Sequence, residues 1–206
     1  MQLGEMTFGT NIKIPERQED DSYKLADYTL GFFGVGVAAL IRKDIHSLCR
    51  FGDSTEYAGS DLDKRMTEIY NSYPDEYKEL IIPCTIPLYN GSGAEDITRK
   101  VFAPTLTMVG GGGNEGVDEG FTWPIFTGRN SRKKTFNGSA AIWWLSSQYS
   151  SDNAWRVYAD GSADFSYPTY SYGVVPAFII LQSVQIDDTP DNDGSYRLTV
   201  LESYCS

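Results

Sequence analysis

Ile142-Trp143-Trp144-Leu145-Ser146-Ser147 and Tyr172-Gly173-Val174-Val175-Pro176-Ala177-Phe178-Ile179-Ile180-Leu181 are two apolar blocks flanking a polar insert rich in Ser, Tyr, Asp and Ala. Three of the four tryptophans, Trp143, Trp144 and Trp155, fall in this stretch. A buried indole removes ~150–250 Å² from water. At about 25 cal/mol per Å² that is roughly 4–6 kcal/mol of gross stabilisation per ring, an upper bound because the unfolded chain is not fully extended. The outer blocks therefore read as core strands. The insert is too polar for a core and too aromatic for a plain linker, so it reads as a surface.

Working outward, the 206 residues suit a single domain over 1–206. The 14 tyrosines and 20 glycines favour an α+β or all-β domain with long structured loops over a helical bundle. The net charge of −11 argues against a nucleic-acid backbone as partner, because counterion release needs clustered Lys and Arg. The only basic cluster, Arg129 to Lys134, reads as a solvated loop. Cys49, Cys84 and Cys205 are odd in number, widely spaced and without a CxxC. Free or buried thiols are expected from them, and neither a disulfide framework nor a zinc site with His46. Residues 1–6 lack the features of a secretory signal, and no window of about 18 apolar residues exists. These features predict a soluble protein made in a cytoplasm, without membrane insertion.

Along the chain, Met6, Phe8, Ile12 and Ile14 alternate as in a strand, and Pro15 to Tyr23 reads as a charged loop. Leu30 to Ile41 reads as a buried strand in preference to a glycine-packed helix. Ser60 caps a helix whose stripe is Leu62, Met66, Ile69, Tyr70 and Tyr73, and Pro74 opens a second one through Leu80. Ile81 to Leu88 reads as an edge strand, Val101 to Val109 as another, and Gly110 to Gly120 as a long loop. Phe121 to Phe126 re-enters the core, Asn137-Gly138 turns the chain, and Tyr196 to Leu201 alternates as a closing strand.

Catalytic chemistry is hard to build from these residues. His46 is the only histidine and no Gly-x-Ser-x-Gly elbow exists. Asp118-Glu119 beside Trp123 is the most distinctive carboxylate pair, and it carries no glycosidase signature. Asp187 to Asp193 reads as an acidic hairpin turn, since it lacks the spacing and terminal Glu of an EF-hand. No enzyme, metal or cofactor is expected. The insert does have the composition of a recognition surface. Tyr gives contact area at low entropy cost, and Ser, Asn and Gly give adaptable hydrogen bonds. The candidate ligand-binding residues are Gln148, Tyr149, Asp152, Asn153, Trp155, Arg156, Tyr158, Tyr167, Tyr170 and Tyr172. A hairpin from Trp155 to Tyr167, turning at Asp160-Gly161, is compatible with that role.

Trp143-Trp144-Leu145-Ser146-Ser147, Val157-Tyr158-Ala159-Asp160-Gly161 and Gly173-Val174-Val175-Pro176-Ala177-Phe178 resemble a WWLRSP, V-x-x-D-G and G-V-R-P-A pattern. That pattern belongs to phage and prophage domains with a C-type-lectin-like fold, related in architecture to the formylglycine-generating enzyme. The likeness extends through Ile41 to Ile45, Tyr57 to Leu62 and Val101 to Thr107. Ser146 and Val175 stand where the pattern has arginine, and Gln148 where it has proline. The active-site cysteine motif of the enzyme relatives is absent, as are the calcium motifs of animal lectins. The resemblance implies a mainly antiparallel C-type-lectin-like fold with one or two short helices. It also implies a virion protein of a phage tail or tail tip, acting in host attachment on a bacterial receptor or glycan. The alternative is a capsid decoration, head fibre or baseplate subunit whose loops contact other virion proteins. Either setting implies a homo-oligomer, a trimer being one arrangement. Assembly would take place in the bacterial cytoplasm and release by lysis.

Overall fold

In the computed structural model, which describes residues 1–200, the chain forms sixteen short strands. In chain order these are β1 (Asn11–Arg17), β2 (Tyr23–Phe33), β3 (Val37–Arg42), β4 (Ser47–Arg50), β5 (Ile81–Ile82), β6 (Cys84–Tyr89), β7 (Ala94–Arg99) and β8 (Val101–Phe102). The remainder are β9 (Lys134–Phe136), β10 (Ser139–Ala141), β11 (Trp143–Gln148), β12 (Ala154–Val157), β13 (Ala163–Ser166), β14 (Ser171–Val174), β15 (Ala177–Leu181) and β16 (Tyr196–Arg197). Helices α1 (Asp61–Ser72) and α2 (Asp75–Leu80) lie between β4 and β5. The architecture is α+β and mainly antiparallel.

The larger sheet runs β16-β1-β2-β3-β15-β5, with β8 also paired to β15. The smaller of the two main sheets runs β13-β12-β11-β14-β4, and β6–β7 and β9–β10 form separate two-stranded ribbons. Each main sheet contains one parallel pair, β1–β16 and β11–β14. The two apolar blocks of the sequence thus serve different sheets. Trp143 to Gln148 is central in the smaller, and Ala177 to Leu181 lies inside the larger, between β3 on one side and the short β5 and β8 on the other. Val174, Val175 and Pro176 cross between them, and both valines are fully buried.

Helix α1 begins where the sequence places it, with Ser60 Oγ accepting from Asp63 N at 3.1 Å. Leu62, Met66, Ile69 and Tyr73 are buried, and Tyr70 packs at the boundary. Pro74 caps α2.

Several segments differ from the sequence expectation. Leu30 to Ile41 is two strands of a hairpin turned at Gly34-Val35-Gly36, where Gly36 takes φ +72°. The valines and phenylalanines carried the strand propensity, but the glycines marked a turn. Strand β1 runs through Arg17, so the charged stretch begins inside the sheet, and Glu16 is buried by its partners Arg42 and Tyr28. Of Val101 to Val109 only β8 is extended, and the rest turns while staying buried. Trp123 and Phe126 enter the core, but Phe121 is 74% exposed and stacks on Phe32. The basic cluster is no free loop. Arg132 donates to the carbonyls of Gly161, Val109 and Gly110, and Lys134 is buried with Nζ on the carbonyls of Arg42 and Lys43. The closing strand reduces to β16 plus a bridge from Leu198 to Ile186, and Leu201 lies outside the described residues.

Cys49 and Cys84 are free thiols, and Cys205 lies outside the described residues. Burial pushes the Cys49 thiol up to about 11, so it is a packed group with little thiolate character.

Candidate functional site

The turn at Asp160-Gly161 sets the register of the insert. Gly161 adopts φ +86°, and a Cβ there would lie 1.8 Å from the Arg129 carbonyl, so only glycine fits. Asp160 Oδ1 accepts from the backbone of Ser162 at 2.9 Å and closes the loop. Pairing then follows as Val157 with Ala163, Arg156 with Asp164 and Trp155 with Phe165. Because side chains alternate, Arg156 and Trp155 project to opposite faces of the hairpin. Two aromatic groups result.

The first is a ribbon built around Arg156. Its guanidinium lies 4.8 Å from the Tyr172 ring centre and 5.5 Å from that of Tyr158, while Nη2 donates to Asp164 Oδ2 at 2.9 Å. Tyr172 leans edge-on against buried Trp144, with centroids 4.9 Å apart. Tyr170 follows at 6.3 Å from Tyr172, and Tyr167 at 6.2 Å from Tyr170. Tyr167 and Tyr170 are 57% and 53% exposed, so the far end of the ribbon faces solvent. Trp144 is anchored in turn by its indole N–H on the Cys49 carbonyl and by Phe51. Strand β14 reaches this position because Gly173 sits where a Cβ would meet Ile45 at 2.6 Å.

The second group is Tyr149, Trp155 and Phe165. Tyr149 and Phe165 stack at 4.0 Å and 3°, with Trp155 edge-on to both. Trp155 Nε1 donates to Asn114 Oδ1, which ties the group to the glycine-rich loop.

The candidate residues read from the sequence therefore separate. Arg156, Tyr158, Tyr167, Tyr170 and Tyr172 come together in the ribbon. Tyr149 and Trp155 lie on the other face. Gln148 lines a cavity and donates to Thr55 Oγ1 at 2.9 Å. Asp152 and Asn153 make the tip of the β11–β12 turn, where the Asn153 carbonyl accepts from Tyr149 and Ser150. Phe165 and Asp164 were missed. Counting outward from the Asp160-Gly161 turn would have placed both opposite chosen residues.

Glu119 and His46 are each engaged by neighbouring groups. Glu119 is enclosed by donors from Ser147 Oγ, Tyr89 N and Asn114 Nδ2. Desolvation raises its carboxyl above the usual range despite them, and it has no solvent access. His46 Nδ1 lies 3.0 Å from Ser47 Oγ, but its Nε2 is 4.0 Å from Glu16, whose carboxylate is committed to Arg42 and Tyr28. Burial lowers the His46 pKa. In the acidic turn, Asp193 pairs with Lys13 and Asp191 with Arg197, so those carboxylates diverge. No group of three or more Asp, Glu, His or Cys converges among the described residues. No helix of the described residues is long and apolar enough to cross a membrane.

Fold and surface together define a mainly antiparallel α+β domain carrying a partly exposed aromatic ribbon. Residues 36–182 match DUF6273, a domain of unknown function, and the chain belongs to that family. No curated protein and no solved structure matches it. The matched span runs from the β2–β3 turn to the end of β15 and holds the whole smaller sheet. Strands β1, β2 and β16 lie outside it and together form one edge of the larger sheet.

Proposed function

We propose that this protein is a recognition module that holds a bacterial surface glycan on the Tyr158–Arg156–Tyr172–Tyr170–Tyr167 ribbon. The observation that carries this reading is the ribbon itself. Its inner end is pinned by Trp144 and Asp164, while its outer rings stay open to solvent. A flat phenol face packs against the C–H face of a sugar ring while its hydroxyl hydrogen-bonds, at little entropic cost. The sequence resemblance supplies the setting: a C-type-lectin-like domain of a phage virion, in the tail or tail tip, acting in host attachment. The mixed sheets and long loops are compatible with that fold.

A second reading, a decoration or baseplate subunit that contacts neighbouring virion proteins, is favoured by a different patch. Phe8 against Phe33, Phe121 on Phe32, and the exposed Val35 and Leu181 gather around the β2–β3 turn.

The test is glycan-array and whole-cell binding with the intact chain, beside Tyr167→Ala and Tyr170→Ala. Binding lost in both variants, with folding retained, supports the glycan reading. Wild-type protein that binds neither glycans nor cells, while Phe8→Ser and Phe121→Ser block particle assembly, replaces it with the second.

A further inference from the structure

A cavity of about 430 Å³ opens between the end of β11, the β6–β7 hairpin and residues 54–58. Its size falls in the ~300–1,000 Å³ range of small-molecule sites. Alternation along β11 sends Ser147 to Glu119 and Ser146 the other way, to line this cavity. The Ser146 hydroxyl is buried and has no hydrogen-bond partner among the described residues. Such a group costs about 1–3 kcal/mol when left unmet, so it calls for a partner. Beside it, the Gln148 amide nitrogen is held by Thr55 Oγ1 and the Ser150 carbonyl, at 2.9 and 3.0 Å. This leaves the amide oxygen without a partner among the described residues. The Gln148 carbonyl accepts from Asn114, so the floor is fixed to the glycine-rich loop before any ligand arrives.

The remaining walls set the ligand class. Tyr57, Leu88 and Ile97 give one apolar side. Glu56 and Glu95 stand exposed at the rim, and no Lys or Arg lines the cavity. Anions are disfavoured by that rim. A cation would leave solvated carboxylates for a neutral interior, where an unpaired charge is costly. What fits is a small neutral polyol with one apolar face, such as a single sugar ring, donating to Gln148 Oε1 and exchanging a hydrogen bond with Ser146 Oγ. We infer that this cavity is a binding site for a neutral polyhydroxylated ligand. It shares no residue with the aromatic ribbon.

The experiment is titration of the full chain with N-acetylglucosamine, galactose and myo-inositol, followed by calorimetry and by amide NMR shifts. Inorganic phosphate and choline serve as charged controls. Saturable binding of at least one neutral probe is expected, with the largest shifts at Ser146 and Gln148. Ser146→Ala should weaken it roughly tenfold without lowering the thermal midpoint, because the hydroxyl it removes satisfies nothing in the free protein. Gln148→Ala is the second variant and should weaken the same probe. The titration is repeated in Tyr170→Ala, where any sugar held by the ribbon is lost while the shifts at Ser146 and Gln148 should persist, which separates the site from the ribbon. The inference is overturned if no neutral probe binds or if phosphate or choline binds in its place. It is equally overturned if both cavity variants keep wild-type affinity, or if Tyr170→Ala abolishes the shifts at Ser146 and Gln148.

Discussion

The hydroxyl of Ser147 donates to the carboxylate of Glu119 in a fully buried contact that joins β11 to the end of the glycine-rich loop. Asn114 and the Tyr89 amide donate to the other carboxylate oxygen, and Ser147 Oγ also accepts from Leu106 N. One acidic side chain thus organises three separate segments. Glu119→Ala leaves several buried donors unmet and should destabilise the protein by on the order of 3 kcal/mol. Ser147→Ala should cost somewhat less. In urea denaturation the double variant should fall short of the sum of the two, because they share one network. Strict additivity would refute that coupling.

Lys134 predicts an unusual pH dependence. Burial, the largest influence, moves its ammonium from 10.5 down to about 7, although two carbonyls accept from Nζ and the Trp143 ring lies 5.8 Å away. The unfolded chain therefore holds this proton across a window where the folded one does not. The penalty is complete below pH 7 and is relieved as pH rises toward 10.5. Stability should increase through that window by up to about 1.4 kcal/mol per pH unit from this group. Denaturation at pH 7, 8 and 9 should show Lys134→Met lacking this increment relative to the wild type. Parallel curves for the two proteins would remove Lys134 as the cause.

Gly161 fixes the hairpin. With its left-handed backbone and the Arg129 carbonyl where a Cβ would go, Gly161→Ala should cost more than about 1 kcal/mol. The same change at Gly138, also left-handed but with open space around it, should cost less. Thermal unfolding of the pair separates close approach from backbone strain alone.

Arg156→Lys tests the ribbon's inner end. An ammonium keeps the charge for Asp164 but replaces the guanidinium that lies over the Tyr158 and Tyr172 rings. A loss of about 1 kcal/mol is expected, with Tyr172 ring signals shifted by NMR. An unchanged Tyr172 environment would show that the guanidinium plane is not what orders the rings.

The sequence was most informative where one residue type allows one local geometry. Ser60 announced α1, Asp160-Gly161 announced the β12–β13 turn, and the tryptophan pair announced a buried strand. It misled where a polar side chain is buried by a distant partner. Glu16 and Lys134 look solvent-bound in the sequence, and only pairing across the fold with Arg42, Tyr28 and two main-chain carbonyls lets them enter the interior. The insert was legible as a surface but not as two faces, because composition carries no register. The unpartnered Ser146 hydroxyl was invisible for the same reason: Ser146 and Ser147 differ only in the direction that the strand gives them.

Strand β15 joins β3 on one side to β5 and β8 on the other, so the larger sheet cannot be completed until residues 177–181 have been made. Its partners β3, β5 and β8 are all made earlier, yet none of them can be joined until residues 177–181 emerge. Until then the β1–β2–β3 meander exposes an unpaired edge of Ala38, Ala39, Leu40 and Ile41. A chain truncated before Ala177 should therefore expose that edge and aggregate more readily than the full chain.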